Sequence, residues 1–241
     1  MPDNYDILEQ LFDKARTICS PSKTQFTYGE RYVAAMSPRG QIGVCATLNI
    51  KIAPSDIKSF NLSKAQSRVV ANAFVNAALN YLVKPDGLGD IFDVVDFNCF
   101  SKVVMIGYFG SLVQKLQGKG INPLVFDIDQ HDAPVLPMEK QQEYLKEADC
   151  VTLTSTSLGN GTFNGIISTI SSQCSIYMLG PSTPLDDLMF MIPQVKGLFG
   201  SIFPLNNAET LKLIAQGYGT KGFMHTMQKV YRTRESKTLN A

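Results

Sequence analysis

The sequence predicts an α/β chain: a Rossmann-like doubly wound parallel sheet preceded by a smaller α+β domain. Three observations carry this. From Val103 onward, apolar runs alternate with helical stretches. Those runs are apolar throughout rather than at every second residue, as in strands covered on both faces. Before that point the order is different, with a helix, a hairpin and a long helix. The 241 residues, 44% of them apolar and 18% charged, suffice for one large domain or two small ones with cores of their own. The division reads 1–84 for the smaller domain, 85–101 for a linker, 102–230 for the Rossmann-like domain and 231–241 for a flexible tail.

Residues 4–18 place Ile7, Leu8, Leu11, Phe12, Ala15 and Ile18 at helical spacing. Two β-like runs follow, Thr24–Ala35 and Gln41–Ile50, around the turn tetrad Ser37-Pro38-Arg39-Gly40. Together they read as a hairpin, with Glu30 and Arg31 inside its first strand. Ser63-Lys64-Ala65-Gln66 matches a capping box and opens a helix to about Leu82. Its wide apolar arc predicts a central, heavily buried helix. Asn72, Asn76 and Asn80 share one face at the edge of that arc. Buried amides need partners, either backbone across the domain interface or an interdomain ligand. Further strands are expected at Val103–Ile106, Pro123–Ile128, Cys150–Leu153, Ile176–Leu179 and Leu198–Phe203. Helices are expected from Ser111 and over 139–148, 162–172, 184–191 and 206–216.

Charge and cysteine usage exclude several functions. Lys plus Arg is 22 and Asp plus Glu is 21, so bulk charge does not favour nucleic acid. The longest mostly apolar run, Val103–Val113, is too short to span a bilayer. The acidic N-terminus shows no signal peptide. Cys19, Cys45, Cys99, Cys150 and Cys174 are odd in number and widely spaced, with no C-x-x-C pair. That argues against a disulfide framework and a zinc knuckle. A cytoplasmic protein follows, with a small-molecule or metal ligand as partner, no nucleic acid, no membrane, and a homodimer as the default assembly.

In an open parallel sheet, ligands bind beyond the carboxyl ends of the strands, where strand order reverses. Four loops occupy such positions. Gly107-Tyr108-Phe109-Gly110-Ser111 is a G-x-x-G turn. It reads as part of a dinucleotide fingerprint or as a plain strand-to-helix turn, with Phe109 where a pyrophosphate site needs glycine. Asp127 sits where a ribose-binding acid would. Asp129, His131 and Asp132 beside it form a metal-binding group or a solvated acidic loop. The polar loop Thr154–Thr162 offers Thr154, Ser155, Thr156, Asn160 and Thr162, the last also an N-cap for a helix from Phe163. Gly180-Pro181-Ser182-Thr183 is rigid and polar, and Thr183-Pro184 also suits a helix start. No Ser–His–Asp arrangement, P-loop or H-E-x-x-H motif is present.

Three segments together resemble a known family: Val104–Gly110, Ala148–Thr154 followed by Asn160-Gly161-Thr162, and Leu179–Leu185 with its Gly-Pro-Ser-Thr-Pro loop. They are similar to the "putative heavy-metal chelation" family, domain of unknown function 364, over most of residues 100–217. The resemblance implies that the smaller domain is like the N-terminal domain of enolase. It also implies a ligand site between the domains, formed by the 107–111, 154–162 and 180–183 loops. Thr154-Ser155-Thr156-Ser157 lacks the glycine that family members often carry there. The resemblance supplies no catalytic residue. The function expected is binding of a small polar or anionic ligand, a metal or a metal complex in the crevice. The alternative is an enzyme using NAD or S-adenosylmethionine, and a scaffold with a vestigial crevice stands third. None of the cysteines falls in these loops, so a metal would be held by oxygen ligands or arrive inside a small molecule.

Overall fold

The computed structural model describes residues 6–54, 60–129 and 134–234. The chain opens with α1 (Ile7–Ile18), whose N-terminus is capped by Asp6 accepting from the Leu8 amide. A three-stranded antiparallel sheet follows, formed by β1 (Gln25–Tyr28), β2 (Tyr32–Met36) and β3 (Ile42–Ala46) in that order. The Ser37–Gly40 turn closes β2 and β3, with the Gly40 amide 2.8 Å from Ser37 O. The run expected as one strand over Thr24–Ala35 is instead two. Gly29 folds it back, its amide bonded to Tyr32 O at 2.9 Å. Glu30 and Arg31 therefore lie in a turn and not inside a strand. A side chain at Gly29 would meet Ile214 O at 1.9 Å, so only glycine brings this turn so close to the following layer.

Helix α2 (Ala65–Leu79) is the central element, buried almost without interruption from Val69 to Asn80. It ends three residues earlier than expected. Its expected capping box does not form: Lys64 is the N-cap without a side-chain bond, and Ser63 bonds to Asn61 instead. Tertiary burial sets this helix, as is common where packing dominates local signals.

The second sheet has seven strands in the order β4-β10-β9-β8-β7-β5-β6. The parallel strands are β5 (Val103–Ile106), β6 (Leu124–Phe126), β7 (Cys150–Thr154), β8 (Ser175–Leu179) and β9 (Val195–Ile202). The antiparallel edge consists of β10 (Gln228–Thr233) and β4 (Gly87–Leu88). Connecting helices are α3 (Gly110–Gln117), α4 (Gln141–Lys146), α5 (Thr156–Gly159), α6 (Phe163–Thr169), α7 (Ala208–Ala215) and α8 (Thr220–Phe223). Over 184–191 a 3-10 turn, Asp187–Met191, replaces the expected helix, and Asp186 caps it in place of Thr183.

Alternation along the strands divides the core. Val104, Ile106, Val151, Leu153, Ile176 and Met178 share one cluster with α1, α2 and α6. Val103, Met105 and Cys150 face a second cluster with Leu112, Val113 and Leu116 of α3. Both faces are covered, which is why β5 and β6 read as apolar throughout. Ile91, Val95 and Phe97, in the stretch expected as a linker, belong to the second cluster and help to cover that face. Likewise β10 extends to Thr233, into the stretch expected as tail. Among the described residues, no helix is long and apolar enough to cross a membrane.

Candidate functional site

The chain leaves β5 through α3 to β6 on one side, then crosses to β7 on the other. The strand order therefore reverses between β5 and β7, and their carboxyl ends open a crevice. A cavity of about 540 Å³ occupies it. One wall comes from the parallel sheet: Ile106, Gly107, Tyr108, Phe109, Phe126 and Asp127. The Thr154–Thr162 segment adds Thr154, Thr156, Asn160 and Thr162. The opposite wall comes from the small sheet and its exit, through Tyr32, Ala46, Leu48 and Ile50. Met138, Gln141, Ile166, Ile128 and Asp129 complete it.

The local geometry follows from the sequence. Gly107 has φ +91°, and a Cβ there would sit 2.8 Å from Thr154 Cβ, so glycine lets the β5 turn touch the β7 loop. The Asp127 carboxylate holds the same turn, accepting the Tyr108 amide at 2.6 Å and the Asp129 amide at 2.8 Å. Its oxygens thus serve the loop, which accounts for an acid at the end of β6 without a ribose. Thr154 and Thr156 hydroxyls pair at 2.9 Å. Asn160 Oδ1 accepts the amide and the hydroxyl of Thr162, at 3.0 and 2.7 Å. Thr162 therefore precedes α6 as expected, yet its hydroxyl bonds Asn160 and makes no cap. Leu48 and Asn49 adopt left-handed backbone, φ 55° and 59°, an unusual pair for non-glycine residues. They turn the chain so that Leu48 forms part of the rim.

Of the residues expected from sequence, Gly107, Tyr108, Phe109, Asp127, Thr154, Thr156, Asn160 and Thr162 line one cavity, with Asp129 at its edge. Gly110 begins α3 and Ser111 is exposed beside it, both outside the cavity lining. Ser155 is buried, its amide bonded to Leu179 O. His131 and Asp132 lie outside the described residues. The Gly180-Pro181-Ser182-Thr183 loop does not line the cavity. It is fastened by the asparagine row of α2. Asn72 and Asn76 Nδ2 donate to Ser182 O at 3.1 and 2.9 Å, and Asn80 Nδ2 donates to Thr183 O at 3.1 Å. Ser182 Oγ accepts the Ala46 amide at 3.1 Å. Of the two roles open to these asparagines, bonding to backbone is the one observed. Sequence reasoning missed Tyr32, Leu48, Ile50, Met138, Gln141 and Ile166. They are chemically ordinary residues from separate elements, and no local signal marks them.

The three buried thiols do not fit a metal cage. Burial pushes Cys45 up to about 11, Cys174 up to about 12, and Cys150 well above the ordinary thiol range. Such thiols keep their protons, whereas metal ligation needs thiolate. Among the described residues, no three His, Cys, Asp or Glu side chains are grouped to hold a metal ion. A pH effect follows. Above the unfolded thiol pKa of 9.0, the unfolded chain releases the Cys45 proton while the folded chain retains it up to about 11. Stability contributed by this group is complete below 9.0 and falls through that window by about 1.4 kcal/mol per pH unit. Urea unfolding across this range is expected to show a shallower alkaline loss in Cys45→Ala than in the unmodified protein. Parallel pH profiles for the two proteins would refute it.

The family model "putative heavy-metal chelation" matches residues 90–233. Two solved structures share the fold. One is a protein of unknown function from the DUF364 family of Pyrococcus horikoshii, 19% identical, TM-score 0.76, covering 94% of this chain and 99% of that one. The other, from the same family in Desulfitobacterium hafniense DCB-2, is also of unknown function and is 17% identical. Its TM-score is 0.75, with 96% of this chain and 100% of that one covered. No curated protein matches the chain. With the family pattern spanning more than half of the chain and six strands of the large sheet, β5 to β10, this chain belongs to the DUF364, "putative heavy-metal chelation", family.

Proposed function

We propose that the protein binds a small polar molecule in the crevice between its two sheets. The observation that carries this is the cavity at the β5/β7 switch point, with polar loops on one wall and an apolar rim on the other. Its size is in the range of small-molecule sites. The lining also speaks to charge. Among its described residues there is no Lys, Arg or His, while Asp127 and Asp129 are present with the rings of Tyr32, Tyr108, Phe109 and Phe126. That composition favours a neutral or cationic ligand over an anionic one. A nucleotide cofactor fits poorly, since no basic group faces the place of its phosphates and Phe109 occupies the position of the close-approach glycine. A metal, if carried, enters as part of a small complex held by oxygen and ring contacts. The compartment we assign is the cytoplasm, supported by the five unpaired cysteines.

The test uses three probes of one shape: benzylamine, benzamide and benzoate. Calorimetry is expected to rank benzylamine and benzamide above benzoate, and Gly107→Val, which fills the turn against Thr154, is expected to remove the binding. Tightest binding by benzoate would overturn the charge assignment.

A further inference from the structure

A second cavity, of about 720 Å³, lies between the β1–β2 turn and the segment Gln216–Gly222, which comprises the α7–α8 link and the first residues of α8. Its chemistry is opposite to that of the crevice. Arg31 and Lys221 line it against a single carboxylate, Glu30. Among the described residues, neither cation is joined to a carboxylate. Their charge is therefore not spent within the fold.

The loop is shaped to present them. Gly217 has φ +82°, which bends the chain out of α7. A Cβ on Gly219 would stand 3.3 Å from Arg31 Cδ and 3.5 Å from its Nη1, so glycine lets the arginine stem lie against the loop. Behind it, Thr220 Oγ1 meets the Tyr32 hydroxyl at 2.7 Å. Tyr32 in turn packs edge-on against Phe223 with ring centroids 4.9 Å apart. The wall carrying Thr220 is thus anchored to the core. An anchored segment that carries an ammonium and shares a cavity with a guanidinium is a setting for a compact oxyanion, since the guanidinium fork matches phosphate oxygens and the ammonium adds a point charge.

We propose that this cavity binds a phosphate group, free or carried on a small molecule, with Arg31 and Lys221 as its charged contacts. The site is separate from the crevice and stands whether or not the crevice ligand is correctly described.

The experiment measures inorganic phosphate and phenyl phosphate binding to the full chain by phosphorus NMR and calorimetry. Arg31→Ala and Lys221→Ala are each expected to weaken binding by about tenfold or more, the loss typical of a charge-assisted contact of at least 1.4 kcal/mol. Glu30→Gln is expected to tighten it, because a like charge leaves the site. Arg39→Ala, in the β2–β3 turn, is the control and is expected to change nothing. All four side chains are at exposed positions, and a thermal melt checks that each variant folds. Stronger binding of phenyl phosphate identifies a carried phosphate, and equal binding a free one. No saturable binding by the unmodified protein, or binding indifferent to both Arg31→Ala and Lys221→Ala, would overturn the proposal.

Discussion

Gly43→Ala will lower the stability of this protein by at least about 3 kcal/mol, more than overpacking usually costs. Gly43 lies on β3, where the small sheet rests on α2. A Cβ there would come within 2.1 Å of the Ala77 amide nitrogen and 2.4 Å of Ala73 O. Both are backbone atoms of a buried helix, so no rotamer change relieves the contact. The helix would have to shift, and the asparagines it carries would move off the Ser182 loop. Gly165→Ala provides the contrast. That glycine is exposed in α6 with nothing within 4 Å of an added Cβ, so alanine is expected to gain up to about 1 kcal/mol of helix propensity. Urea unfolding of the two variants reads both effects. A Gly43→Ala protein as stable as the parent would mean that the sheet and helix are not in this register.

Asn76→Leu is expected to cost about 3 kcal/mol, reflecting two buried carbonyls that lose a donor. Asn76 Nδ2 serves both Ser182 O, at 2.9 Å, and Val44 O, at 3.0 Å, from a position 1% exposed. It joins the small sheet, the central helix and the loop after β8 through two backbone carbonyls. Its Oδ1 has no partner, and removing that acceptor returns part of the loss. Asn80 makes a similar clasp, accepting the Leu185 amide at 2.8 Å while donating to Thr183 O. Chemical denaturation of Asn76→Leu decides the matter, and a change under about 0.5 kcal/mol, within the range of an ordinary surface substitution, would show that the row is incidental.

These asparagines also show how far the sequence was legible. Their spacing along one helical face announced a polar seam, because an amide at the margin of an apolar arc must bond something. The parallel strands were equally plain, since burial on both faces leaves an unbroken apolar run. Loops at strand ends followed from topology alone, and Gly107, Thr154 and Asn160 duly meet in one cavity. Other features had no such trace. β4 is two residues long and forms only by pairing with β10, so neither has a periodic signal. The fold-back at Gly29 is dictated by the approach of Ile214, far away in sequence. The second wall of the crevice, from Tyr32 to Ile50, depends on how the small sheet docks on the large one. The Gly-Pro-Ser-Thr-Pro loop looked like a binding element because it is rigid and polar, yet its polar atoms face α2 and β3.

The crevice between the two sheets is where we propose that this protein meets a small polar ligand. The direct measurement is amide-shift mapping by NMR with benzylamine titrated into the full chain. Binding as described moves the amides of Gly107, Tyr108, Thr154, Thr156 and Asn160 together, with one dissociation constant, and Gly107→Val abolishes those shifts. Saturable shifts that gather elsewhere while these five amides stay still would contradict it.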